Sequence, residues 1–140
     1  MDAQTVCIDT DILIDHLRGD PEATQTIMGL EDAGRALSTT SVNAYELSYG
    51  AWKTREPQAN LEAVETLLNR LEVYPLSRDA ALEAGKVMAH LEKKGFPLEI
   101  RDVFIGATAK ANGAAICTRN TRHFEKIPGL IIHQTSPPRS

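Results

Sequence analysis

Cysteine is scarce in this chain of 140 residues: Cys7 and Cys117 stand far apart, each inside an apolar run, with no CxxC spacing. That excludes a zinc ribbon or a disulfide-stapled scaffold and points to two reduced thiols in the core. Aromatic residues are also few, with one Trp, three Tyr and three Phe, which excludes an aromatic-rich base-stacking module of the RRM kind. Positive charge is in deficit. Fifteen Lys and Arg against nineteen Asp and Glu give a net charge of −4, so a broad basic face cannot hold a polyanion and any nucleic acid must be held locally. No apolar run approaches the roughly 18 residues of a membrane span, and the N-terminus lacks the basic and apolar stretches of a leader. The expectation is a soluble, cytoplasmic protein.

What is present is a 42% hydrophobic, 24% charged chain of a length suited to one buried core. Val6-Cys7-Ile8 is a short apolar run that ends in Asp9-Thr10-Asp11 and reads as a strand feeding a helix. Pro21 to Gly34 fits a second helix, Ala36 to Thr40 a second strand, and Val42 to Arg55 a third helix. Leu61, Val64, Leu67, Leu68 and Leu71 repeat at helical spacing. Val73 to Leu76 follows as a third strand, and Asp79 can cap a helix that runs to Lys94 before Gly95. Arg101 to Asn112 is helical, Ala114 to Thr118 a fourth strand and Leu130 to His133 a fifth. Strands alternating with helices predict an α/β domain of three layers, a parallel sheet of about five strands flanked by helices. The expected domain spans residues 1–134, and 135–140 forms a disordered tail.

Ligands of such sheets collect at the carboxyl ends of the strands. Asp9 ends the first strand, Glu46 lies in the helix after the second, and Asp102 opens the helix that leads into the fourth. Two carboxylates about 4 Å apart repel by about 4 kcal/mol at an effective dielectric near 20, so three converging acids must bind protons or share a cation. Oxygen-only ligation selects magnesium or manganese, and a hydrated hard ion suits phosphodiester chemistry. Each position also has an ordinary structural use: Asp9 as a helix cap, Glu46 in a capping box with Asn43, and Asp102 offsetting a helix dipole.

Thr118-Arg119-Asn120-Thr121-Arg122-His123-Phe124 places hydroxyl, amide and guanidinium groups at another strand end. It reads either as a polar turn capped by Asn120 or as a site loop in which Asn120 positions a water and Arg119 or Arg122 contacts a phosphate. The four histidines show no paired ligand spacing and read as surface or shell residues. Tyr45, Tyr49 and Trp52 form a stripe at near-helical spacing that fits either core packing or an interface.

Together these segments resemble the PIN-domain ribonucleases, and among them the VapC-type toxins of prokaryotic toxin–antitoxin pairs. The resemblance is carried by Cys7-Ile8-Asp9-Thr10-Asp11-Ile12, by Ser41 to Ala51 around Glu46, by Ile100-Arg101-Asp102-Val103-Phe104-Ile105-Gly106-Ala107, and by Thr118 to Phe124 with Ile127-Pro128-Gly129. It implies that Asp9, Glu46 and Asp102 are the acidic metal ligands and that Asn120 fills a fourth position, often Asp. Thr10 and Thr118 would be hydroxyls lining the cleft, with Asp11 and Glu99 as secondary acids. It further implies a Mg2+- or Mn2+-dependent endoribonuclease that forms a homodimer and is neutralised by a VapB-like antitoxin. Two other functions fit parts of the chain. Ile8-Asp9-Thr10-Asp11 suits an aspartate-nucleophile phosphatase of the HAD type, although no later GDxxxD-like acidic pair accompanies it. A catalytically silent PIN-like interaction module would tolerate Asn at 120.

Overall fold

A computed structural model describes residues 4–133; the domain end at 134 and the tail at 135–140 lie outside the described residues. Thr5–Ile8 is β1, and it passes through Asp9 directly into α1, Thr10–Leu17. Then come α2 (Pro21–Asp32), β2 (Ala36–Thr40), α3 (Ser41–Trp52), α4 (Pro57–Leu68) and β3 (Glu72–Tyr74). The second half runs through α5 (Arg78–Lys93), α6 (Ile100–Ala111), β4 (Ala115–Cys117) and the short α7 (Thr121–Phe124). The sheet order is β3-β2-β1-β4 and every pairing is parallel.

Alternation along β1 generates the three layers, because successive side chains of a strand point to opposite faces. Val6 and Ile8 pack with α1, α2, α3 and α4, whereas Cys7 packs with α5, α6 and α7. Both thiols are free and buried, and burial pushes the Cys117 thiol up to about 12. They are inert core groups at neutral pH.

Among the described residues the fifth strand is reduced to a single parallel bridge, Ile116 to Ile132. Ile116 donates its amide to the Ile131 carbonyl at 2.9 Å, and His133 donates to the Ile116 carbonyl at 2.8 Å. β4 is only three residues long, and its next residue, Thr118, already turns its hydroxyl toward Asp9. Two caps also differ from expectation. Ser77, not Asp79, caps α5 by accepting from the Ala80 amide at 3.1 Å. The box at α3 joins Thr40 and Asn43 rather than Asn43 and Glu46, which frees Glu46 from any capping duty. Gly95 and Gly113 end α5 and α6 at φ of 79° and 68°, a backbone region where a side chain is strained.

Candidate active site

The register of the sheet dictates the first contacts. Ile8 lies opposite Cys117, so Asp9 and Thr118 emerge side by side at the carboxyl ends of β1 and β4. The Thr118 hydroxyl donates to Asp9 Oδ2 at 2.7 Å, and the Asp9 amide donates to the Cys117 carbonyl at 2.9 Å. On the other flank β2 delivers Thr40 to the start of α3. The fully buried Asn43 then donates from Nδ2 to Asp9 Oδ1 at 3.1 Å and to Thr10 Oγ1 at 2.8 Å. Asp9 caps α1, accepting the Thr10 amide at 2.8 Å. Its use as a cap and its place in an acidic pocket are therefore compatible.

One cavity of about 570 Å³ opens at this strand edge, and Asp9, Thr10, Asp11, Glu46, Asp102 and Asn120 all contribute to its wall. Asp9 and Asp102 are only 8% and 7% exposed. Burial, then the neighbouring Asp11 charge, with a smaller push from Glu46, lifts the Asp9 carboxyl from 3.8 to about 6 despite the hydrogen bonds from Thr118 and Thr10 that favour its charge. Asp11 is raised in the same direction by burial, against hydrogen bonds from the Arg119 and Ile12 amides that lower it. Surplus negative charge is thus confined to one small, poorly solvated volume.

Each acid is tied to a donor of the chain. Glu46 accepts from the Thr10 hydroxyl at 2.8 Å through Oε1 and from Arg101 Nη1 at 2.7 Å through Oε2. Asp102 Oδ2 lies 3.2 Å from His123 Nδ1, which in turn lies 2.7 Å from Asn120 Nδ2. That ring nitrogen either accepts from the amide or donates to the carboxylate. No three acidic, His or Cys groups among the described residues are set as a ready metal cage. Four carboxylates, those of Asp9, Asp11, Glu46 and Asp102, and the Asn120 amide nonetheless line the same cavity, and all offer the hard oxygen donors that magnesium or manganese takes. The residues fit such an ion in the kind of donor they offer.

The remaining expected residues fall around this pocket. Thr118 is buried behind Asp9. Glu99 does not line the cavity; its carboxylate holds Arg101 Nε at 3.2 Å from outside. Arg119 pairs with Asp15, and with Asp20 at 3.1 Å, while its amide donates to Asp11. Arg122 is exposed. Three residues in contact with the site had no functional reading in the sequence: Asn43, which bridges Asp9 and Thr10; Arg101, the cation on Glu46; and His123, a neighbour of Asp102. Arg101 and His123 carry weak local signals, since each lies one to three residues from an expected site residue. Asn43 looks only like a cap.

The chain matches the PIN domain family over residues 6–130. A protein of Salmonella typhimurium (strain LT2) named tRNA(fMet)-specific endonuclease VapC is 35% identical over 125 residues, which cover 89% of this chain and 93% of that protein. Among solved structures, DNA-bound VapBC from Salmonella typhimurium has a TM-score of 0.83 at 34% identity, covering 92% of this chain and 96% of the other. VapBC2 from Rickettsia felis, bound to a DNA fragment from their promoter, has a TM-score of 0.84 at 26% identity and covers 92% and 97%.

Proposed function

Because this chain belongs to the PIN-domain family, and within it to the VapC group, we propose that it is a divalent-metal-dependent endoribonuclease, the toxin of a toxin–antitoxin pair. A VapB-like antitoxin is its inhibitor, it works as a homodimer, and its place of action is the cytoplasm. One observation carries the reading: acids from three separate segments, Asp9, Glu46 and Asp102, converge with Asn120 on one cavity in which Asp9 is already pushed toward neutrality. Neither the HAD-type phosphatase nor the silent module is favoured by the relatives. Among the described residues no helix is long and apolar enough to cross a membrane.

Asp9, Glu46 and Asp102 would hold Mg2+ or Mn2+, which supplies Lewis acidity and offsets the carboxylate field where an RNA phosphate must enter. The chain's own residues do the positioning. Thr118 and Asn43 fix both oxygens of Asp9, so its carboxylate presents one orientation to the cavity. Thr10 fixes one oxygen of Glu46. Asn120 offers an uncharged amide to the attacking water, and His123 Nδ1, within reach of both that amide and Asp102, bonds one or the other according to its tautomer. Arg101 is the guanidinium that reaches the cavity, and on leaving Glu46 it can take a phosphate oxygen. Arg122, exposed on α7, is available for backbone contact. Arg119 can make such a contact only by leaving Asp15 and Asp20, so its first role is to anchor the loop after β4.

The relative named above supplies the first substrate to try, a tRNA(fMet) transcript. The purified protein is expected to cut it in Mn2+ and to stop on chelation, while Asp9→Asn, Glu46→Gln and Asp102→Asn each lose at least about a hundredfold in rate, the scale of losing charge stabilisation at the reacting phosphate. Undiminished cleavage by all three variants, or cleavage indifferent to chelation, would refute the assignment.

A further inference from the structure

We propose that the stacked rings of Tyr45 and Tyr49 form a nucleobase subsite beside the acidic cavity, on which an unpaired RNA base lies while its phosphate occupies the cavity, a subsite that rests on the ribonuclease reading above. α3 carries Glu46 into the cavity wall and sets Tyr45 and Tyr49 one helical turn apart. Their ring centroids are 6.0 Å apart with an interplanar angle of 16°. Both rings stay 64% and 53% exposed, so core packing does not account for them, and both line the same cavity as the three acids.

The position of the pair favours a base over any other occupant. Its rings are continuous with the place where the phosphate must sit, whereas Trp52, equally exposed on the same helix at 56%, lies outside the cavity wall. Lys53 Nζ stands 5.0 Å from the Tyr49 ring centroid, which puts a cation at the outer end of the stack where the next phosphate of a strand would run. A net charge of −4 leaves little general attraction for RNA, and stacking is a contact that needs no basic face and accepts any unpaired base. A second copy of the chain is the rival occupant, and it would cover Trp52 along with the tyrosines.

RNA hairpins carrying 2-aminopurine at successive loop positions provide the probe, with fluorescence read on mixing before cleavage. KM and kcat for Mn2+-dependent cleavage of the tRNA(fMet) transcript and the mass of each variant in solution complete the test. At one loop position the native protein is expected to quench the probe. Tyr45→Leu and Tyr49→Leu should abolish that quenching and raise KM about tenfold with kcat little changed. Tyr45→Phe, Tyr49→Phe and Trp52→Leu should behave as the native chain, and all variants should keep its mass. Unchanged quenching and KM in the leucine variants overturns the subsite. So does a loss of mass shared by all three leucine variants, which makes the stripe an interface between copies. A native protein that quenches through the tyrosines but cuts no RNA refutes the ribonuclease reading and leaves the subsite standing; one that neither quenches nor cuts refutes both.

Discussion

Arg101 Nη1 lies 2.7 Å from Glu46 Oε2, so the cavity's own guanidinium occupies one of the three carboxylates expected to hold a metal ion. The residues are 55 positions apart in sequence and meet because α3 and α6 pack against each other. Glu46 is also the largest influence on Arg101, holding its guanidinium more firmly protonated than usual. A divalent ion and Arg101 therefore compete for the same oxygen.

Arg101→Gln is accordingly expected to raise the affinity for Mn2+ measured by calorimetry in the absence of RNA. Arg101 is largely exposed, and exposed pairs contribute about 0.2–1 kcal/mol, so the gain should be about 1.4- to fivefold. The same variant should cut RNA more slowly, because the phosphate loses its guanidinium. Weaker Mn2+ binding by the variant would show that Arg101 assists the ion rather than competing with it.

Asp9 makes the stability of the metal-free protein fall as pH rises. Its carboxyl titrates near 6 in the folded chain against 3.8 ordinarily, so between those values the folded state keeps a proton that the unfolded state releases. The resulting penalty is absent below about pH 4, grows through about pH 6 and reaches about 3 kcal/mol at pH 7. Asp9→Asn keeps an acceptor for Thr10 and Asn43, and the Thr118 hydroxyl can turn to accept. Urea unfolding should find this variant more stable than the native chain at pH 7, with a flatter profile from pH 4 to 6. A variant less stable at pH 7 would contradict the assignment of Asp9 as a buried, repelled charge.

Thr118→Val keeps the shape of a buried side chain and deletes the hydroxyl that donates to Asp9 Oδ2. One carboxylate oxygen is left short of a partner, at a cost of about 1–3 kcal/mol. Because that hydrogen bond favours the charged form, the Asp9 carboxyl should titrate higher still, as carbon-13 chemical shifts across pH would read. An unmoved titration would mean that Thr118 does not hold the carboxylate.

Behind the site, Gly106 lets α6 sit directly against Ile127: a Cβ there would collide with the Ile127 Cδ1 and touch Leu130 and Phe124. Gly106→Ala should destabilise the fold by about 1–3 kcal/mol through overpacking, despite the better helix propensity of alanine. A higher melting temperature would show that the segment after α7 yields freely.

Much of this was legible in the sequence because the signals were local. Val6-Cys7-Ile8 ending in Asp9 announces a buried strand with an acid at its carboxyl end, and parallel strands bring such ends to one edge. The convergence of Asp9, Glu46, Asp102 and Asn120 on one cavity follows from that topology. Relations set by packing were not legible. Arg101 meets Glu46 only through the approach of two helices. Arg119 reads as a free cation until α1 and α2 bring Asp15 and Asp20 to it. Asn43 has one sequence signature but serves both the cap of α3 and the orientation of Asp9. The fifth strand looked complete from Leu130 to His133, yet among the described residues it meets β4 in one bridge, Ile116 to Ile132.

Anomalous scattering from a crystal soaked in Mn2+ tests the central claim most directly. A peak enclosed by the carboxylates of Asp9, Glu46 and Asp102, with the Arg101 guanidinium moved off Glu46, is the predicted result. Peaks elsewhere on the molecule, with Arg101 still seated on Glu46, would contradict it.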